Sequence, residues 1–199
     1  MLPCIQKRFH FTFPIPKKLN EVARVPLLKQ ESPIKIRQLW QEQFKSRPDV
    51  VVGTMAKAEY DLFRANTSMW PVFIVPVMKN ESSYFNLVSQ FQDGKHCLVT
   101  SLEAFRQDPR NASPMMVATI YDELISEKGL ALMRADIISR LDISREDAHK
   151  VMKCLRHIYI SKPGLVKTFN IDPRNFDYED FMKYCMQYSN EGGGVSNSI

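Results

Sequence analysis

Apolar residues fall into short runs through the middle of the chain and into helical spacing towards its ends. Two central runs, residues 114–121 and 129–137, are long enough for strands and short for helices. Neither alternates cleanly. Met115, Met116, Val117, Ala118 and Ile120 occupy both faces of an extended chain, the pattern of a strand covered on both sides in the middle of a sheet. The polar link 122–128 ends at Gly129 and reads as one helical turn with a glycine terminator. Arg134 interrupts the second run, so its charge must lie at a strand end, in water or against a partner.

Upstream, Ser32-Pro33 predicts a helix start, with Ile36, Leu39, Trp40 and Phe44 on one face and a stop before Arg47-Pro48. Val50-Val51-Val52 predicts a short strand ending at Gly53. Residues 55–64 read as a helix with Met55, Ala58, Leu62 and Phe63 on one side, closed by Asn66-Thr67-Ser68. Residues 71–78 form a continuous apolar run containing Pro76, which cannot donate to a ladder. That strand is therefore placed at a sheet edge or at a bulge. After the polar turn 79–82, residues 84–91 alternate, with Phe85, Leu87 and Phe91 on one face and Asn86 and Gln90 on the other. Asp93-Gly94 predicts a tight hairpin turn to a partner strand over 96–100.

Further on, Ser144-x-x-Asp147 opens the most regular helix, with Ala148, Val151, Met152, Leu155, Ile158 and Tyr159 on one stripe. Ser161-Lys162-Pro163-Gly164 breaks it. Residues 165–169 are read as a last short strand. Pro173 onward is read as a final helix presenting Phe181, Tyr184, Cys185 and Tyr188. The sum is an α+β fold: a central, largely antiparallel sheet of about six or seven strands flanked by helices. Residues 1–31 are expected to be a basic leader and linker, 32–188 a single domain and 189–199, with its three glycines, a disordered tail.

Composition changes this picture little. In 199 residues, 44% are hydrophobic, enough to bury a core without metals or disulfides, and the net charge of +5 is mild. Four spread cysteines without a C-x-x-C pair suit free thiols in a reducing compartment. The first acid is Glu21, after Lys7, Arg8, His10, Lys17 and Lys18, a basic start that suits mitochondrial import. No apolar run is long enough to span a membrane, so no membrane insertion is expected. Phosphate loops, nucleophile elbows and paired catalytic carboxylates are missing from the sequence, so no catalytic residue and no cofactor are assigned. A zinc site built from His96, Cys97, Cys154 and His157 is the only metal alternative. Cys154 borders an apolar stripe, which favours core packing, and no metal is assigned.

Several stretches, in order, carry a resemblance: Leu39-Trp40; 71–76; 98–103; Ala112-Ser113-Pro114; Tyr121-Asp122-Glu123-Leu124; 127–134; Glu146-Asp147-Ala148; and 165–170 with Pro173, Phe176 and Tyr178. Together they resemble the mitochondrial assembly chaperones of the ATP synthase catalytic head, the family that binds the free beta subunit, over about residues 33–185. The resemblance implies a matrix protein without catalytic activity; a monomer is expected. It would shield the beta subunit from aggregation until the alpha subunit displaces it. Many members carry a longer helical region before the tryptophan helix than this sequence shows. The apolar strand with its proline, and the charge inside an apolar run, nominate Phe73, Ile74, Val75, Pro76, Met133 and Arg134 as partner-binding residues. A basic mitochondrial RNA- or ribosome-associated factor is the alternative; otherwise no nucleic acid is expected.

Overall fold

The computed structural model describes residues 16–79 and 83–191; residues 1–15 of the expected basic leader, most of the expected turn 79–82 and the expected tail from residue 192 lie outside the described residues, as does the side chain of Tyr188. Two single-turn helices, α1 (Leu19–Val22) and α2 (Val25–Leu28), precede α3 (Pro33–Phe44). Then come β1 (Val50–Ala56), α4 (Lys57–Met69), β2 (Val72–Met78), β3 (Tyr84–Gln92), β4 (His96–Ser101) and α5 (Leu102–Gln107). The chain continues through β5 (Pro114–Tyr121), α6 (Ile125–Lys128), β6 (Leu130–Ile137), α7 (Arg145–Ser161), α8 (Pro163–Ile171), a 3-10 turn (Pro173–Asn175) and α9 (Tyr178–Glu191). The six strands form one curled sheet in the order β1-β6-β5-β4-β3-β2, every neighbouring pair antiparallel. The fold is α+β, as the patterning predicts.

Strands β2 to β6 form a meander, and β1 closes the far side against β6. Local signals set much of this. The β3–β4 turn has left-handed φ at both central residues, 54° at Asp93 and 66° at Gly94, as a two-residue hairpin turn requires. Gly129 ends the α6 turn at φ 63°. Ser144 and Asp147 cap α7 reciprocally, Asp147 N–H donating to Ser144 Oγ (3.1 Å) and Ser144 N–H to Asp147 Oδ2 (3.0 Å). Burial pushes the Asp147 carboxyl up, but Lys79 Nζ at 2.6 Å and Ser144 outweigh it, and the net shift is downward.

Two hydrophobic layers sandwich the sheet. The inner layer places α4, α7, α8 and α9 over Phe73, Val75, Leu87, Phe91, Val99, Met116, Ala118 and Met133. The outer layer is smaller. There α3 covers β1 and β6 with Ile36, Trp40 and Phe44 over Val50, Tyr121, Leu130 and Leu132, and Leu19 and Leu28 join it.

Several expectations change. β1 runs through Gly53 to Ala56 because all seven residues pair with β6; Met55 is thus a strand residue, fully buried. Helix α4 continues through Asn66-Thr67-Ser68, since Thr67 Oγ1 donates to the Phe63 carbonyl (2.9 Å) and Asn66 Nδ2 to the Tyr159 carbonyl (2.7 Å). Its Ala58 and Leu62 face solvent, away from Phe63. Residues 165–169 are helical within α8, not a strand: Val166 is fully buried and Phe169 packs on Phe73 at 5.4 Å. Residues 20–31 hold α2 and most of α1, and Leu28 is buried. Leu39 is exposed, beside the buried stripe of α3 rather than on it. The final helix starts at Tyr178, since Pro173–Asn175 form the 3-10 turn, and it runs on to Glu191, past the expected start of the tail.

At one end of the sheet, Asp122 ties three elements together. It accepts hydrogen bonds from Tyr60 Oη (2.6 Å) and Arg64 Nη1 (3.0 Å) of α4 and from Lys95 Nζ (2.7 Å) of the hairpin. Burial raises its pKa, but these donors more than offset that and hold it below the ordinary 3.8. A lowered pKa stabilises the fold above the unfolded value and loses that contribution as pH falls through the folded value. Asp122→Asn is therefore expected to be less stable than the natural chain at neutral pH, with the gap narrowing below about pH 4. Urea midpoints at several pH values check this.

Candidate partner-binding face

The two groups of nominated residues lie on different strands, β2 and β6. Four strand spacings separate these in the sheet order, about 19 Å along a flat sheet. The structure does not gather them into one compact patch.

β2 is an edge strand, as Pro76 indicates. Hydrogen bonds beyond its ends fix which way its backbone points. Phe91 N–H donates to the Pro71 carbonyl and Lys79 N–H to the Ser83 carbonyl, both at 2.8 Å. Odd residues 71–79 therefore face β3, and even residues 72–78 turn their backbone groups away from the sheet. Pro76 sits at an outward position, where its missing N–H breaks no ladder bond. Val72, also outward, is held by Asn170 of α8: Asn170 Oδ1 accepts from Val72 N–H (3.2 Å) and Asn170 Nδ2 donates to its carbonyl (2.6 Å). Among the described residues nothing hydrogen-bonds to the outward amides of Ile74 and Met78.

The β2 side chains are interior groups. Phe73, Ile74, Val75 and Pro76 are all buried. Phe73 meets the rings of Phe169, Phe176, Phe181 and Tyr159 at 5.2–6.3 Å, mostly edge to face. Met133 is buried in the inner layer, and its carbonyl accepts from Trp40 Nε1 at 3.0 Å. The strand thus presents its edge, and the side chains nominated for contact serve packing.

Arg134 lies on the outer face of β6, opposite Val52 and Thr119 in the ladder. Its side chain is only 7% exposed. One guanidinium nitrogen pairs with Asp136, and the group lies 5.2 Å from the Phe44 ring centre. Its Nε is buried without a hydrogen-bond partner. The charge inside the apolar run is thus partly answered by Phe44 and Asp136, and one N–H is left over.

Sequence reasoning missed one surface feature. A groove of about 930 Å³ opens between α1–α2 and α3, lined by Val22, Val25, Leu27 and Leu39 with Glu21 and Glu42 on its polar side. The spacing of Leu19, Val22, Val25 and Leu28 is the signal that could have found it.

The remaining titratable groups are dispersed. His96 and Cys97 point to opposite sides of β4, with burial pushing the Cys97 thiol well above its usual range. Cys154 is hydrogen-bonded to Cys185 across α7 and α9, and His157 Nε2 to Tyr184 Oη. Among the described residues no three His, Cys, Asp or Glu side chains converge to hold a metal ion. Nor is any described helix long and apolar enough to cross a membrane.

The chain is 26% identical over 166 residues to the human ATP synthase mitochondrial F1 complex assembly factor 1, covering 81% of this chain and 49% of that protein. The mouse protein of the same name is 27% identical over 166 residues, covering 81% and 50%. Protein atp11, mitochondrial, from Schizosaccharomyces pombe is 23% identical over 145 residues, covering 71% and 50%. The chain thus spans about half the length of the curated relatives it matches. The family model described as ATP11 protein matches residues 12–182, which include all six strands and α3 to α8, and the chain belongs to that family.

Proposed function

We propose that this protein is a non-catalytic assembly chaperone for the catalytic head of the mitochondrial ATP synthase. In this reading it works in the matrix, binds the free beta subunit and keeps it from aggregating until the alpha subunit takes its place. Family membership carries the reading, together with relatives named as F1 complex assembly factors. The basic start of the sequence supports import. A subunit awaiting assembly exposes apolar surface and aggregates. No nucleotide is needed to release it, because a tighter-binding native neighbour displaces the chaperone by mass action.

The edge of β2 supports a docking mode. A partner strand laid beside residues 74–78 would take up the outward groups of Ile74 and Met78 and the Pro76 carbonyl, adding a seventh strand. Arg134 supplies a separate contact in this reading: a partner carbonyl or carboxylate reaching the outer face beside Phe44 would satisfy its Nε–H. Met78→Pro removes an outward amide that the β2–β3 ladder does not use. Capture of purified beta subunit is expected to fall about tenfold while stability changes by less than about 1 kcal/mol. Unchanged capture rejects the strand-addition mode, and the same assay on Arg134→Lys tests the second contact.

A further inference from the structure

Asn170, near the end of α8, turns its carboxamide to the edge of the sheet. Its Oδ1 accepts from Val72 N–H at 3.2 Å and its Nδ2 donates to the Val72 carbonyl at 2.6 Å. Nδ2 also donates to the Val166 carbonyl, one helical turn back, at 2.8 Å. The oxygen and both protons are thus used, and the side chain is fixed between two backbones. Bonds to the N–H and the C=O of one residue are what an antiparallel partner makes in a hydrogen-bonded pair. At Val72, then, Asn170 stands where a seventh strand would.

Anchoring α8 does not call for this. Val166 is fully buried and Phe169 packs on Phe73 at 5.4 Å, so apolar contacts already hold the helix. What the carboxamide decides is how much of the β2 edge is open. Val72, Ile74, Pro76 and Met78 turn their backbone outward, and Asn170 closes the first of them. Among the described residues nothing hydrogen-bonds to the outward amides of Ile74 and Met78, and Pro76 offers a carbonyl alone. An antiparallel strand laid here meets two groups at Ile74, one at Pro76 and two at Met78. Level with Val72, it runs into the Asn170 carboxamide.

We propose that Asn170 is a specificity-determining residue for the segment that docks on β2. It ends strand addition at Ile74, so the edge takes an extended stretch of about five residues, opposite 74–78, that turns away before Val72. The role rests on docking by strand addition at this edge, and it sets the length and register of what docks. A longer unbroken strand must either forgo pairing beyond Ile74 or displace a carboxamide that holds three hydrogen bonds. A segment that bends away at Ile74 docks without that loss. The edge therefore selects a short strand that ends in a turn over a long flat one.

Amide hydrogen exchange tests this, read residue by residue on the full chain, free and bound to purified beta subunit. In the free natural chain the Val72 amide is expected to exchange about tenfold more slowly than that of Ile74, because Asn170 holds it. Binding is expected to slow Ile74 and Met78 about tenfold and to leave Val72 unchanged. In free Asn170→Ala, Val72 is expected to exchange as fast as Ile74. On binding it gains the same protection, because the docked strand runs on over the cleared position. Ile74 and Met78 left unprotected in the natural complex overturn strand addition and the role of Asn170 together. If both are protected, but natural Val72 gains protection equally or Asn170→Ala gains none there, the role of Asn170 alone is overturned. Should Asn170→Ala fail to fold, the free and bound rates of Val72 in the natural chain decide.

Discussion

Trp40→Ala is expected to remove about 3–5 kcal/mol of unfolding free energy, enough to leave much of the chain unfolded at physiological temperature. Trp40 is fully buried and is the largest side chain of the outer layer. Its ring meets Phe44 edge to face at 4.9 Å and Tyr121 at 6.1 Å. It also reaches across the sheet from above, donating to the Met133 carbonyl. Truncation leaves a cavity between α3 and the β1–β6 pair, and that carbonyl loses a donor. Trp40→Phe separates the two effects: it keeps most of the ring and loses the N–H, at a cost of about 1–2 kcal/mol. Urea unfolding followed by circular dichroism gives both values. A loss under about 1 kcal/mol for Trp40→Ala would show that α3 is not anchored as described.

Phe73→Ala is expected to have a loss of the same size, about 3–5 kcal/mol, from the opposite layer. Four aromatic rings from α7, α8, the segment following the 3-10 turn and α9 converge on this one side chain. Its removal therefore loosens the docking of three helices at once. The milder Phe73→Leu keeps volume and is expected to cost about 1–2 kcal/mol. Folded Phe73→Leu should still capture beta subunit, since this side chain points into the inner layer. Met78→Pro should show the reverse pattern, with stability kept and capture weakened. The pair separates a residue that builds the strand from a position that presents it.

Where a local rule governed a residue, the fold was legible. The alternation of β3, the Asp93-Gly94 turn and the Ser144–Asp147 cap are each set by neighbours within a few positions, and each stands where it was read. Errors arose where tertiary contacts decide. Val166 and Thr168 carry β-branched side chains and suggest extension, yet Val166 and Asn170 share a helical face turned to β2. Single-turn helices such as α1 and α2 contain too few residues for a period to show, and only the burial of Leu19 and Leu28 under the outer layer reveals them as folded. Leu62 is apolar and sits next to Phe63, but one helical step turns it from the core to water.

The proposed docking edge was legible in part for a related reason. Buried strands and sticky edges share one sequence signature, an apolar run, so Phe73, Val75 and Met133 could not be told from contact residues before the layers were known. Pro76 did mark the edge, because a missing donor is tolerated only there. The orphaned Nε of Arg134 depends on where Phe44 and Asp136 lie, which no spacing announces.

The most direct test mixes purified, alpha-free beta subunit with an equimolar amount of this protein under conditions in which beta alone turns turbid. The account predicts that scattering is suppressed, that a soluble complex is isolated, and that added alpha subunit releases this chain as alpha–beta assemblies form. Undiminished turbidity with no complex, or a complex that alpha cannot displace, would contradict it.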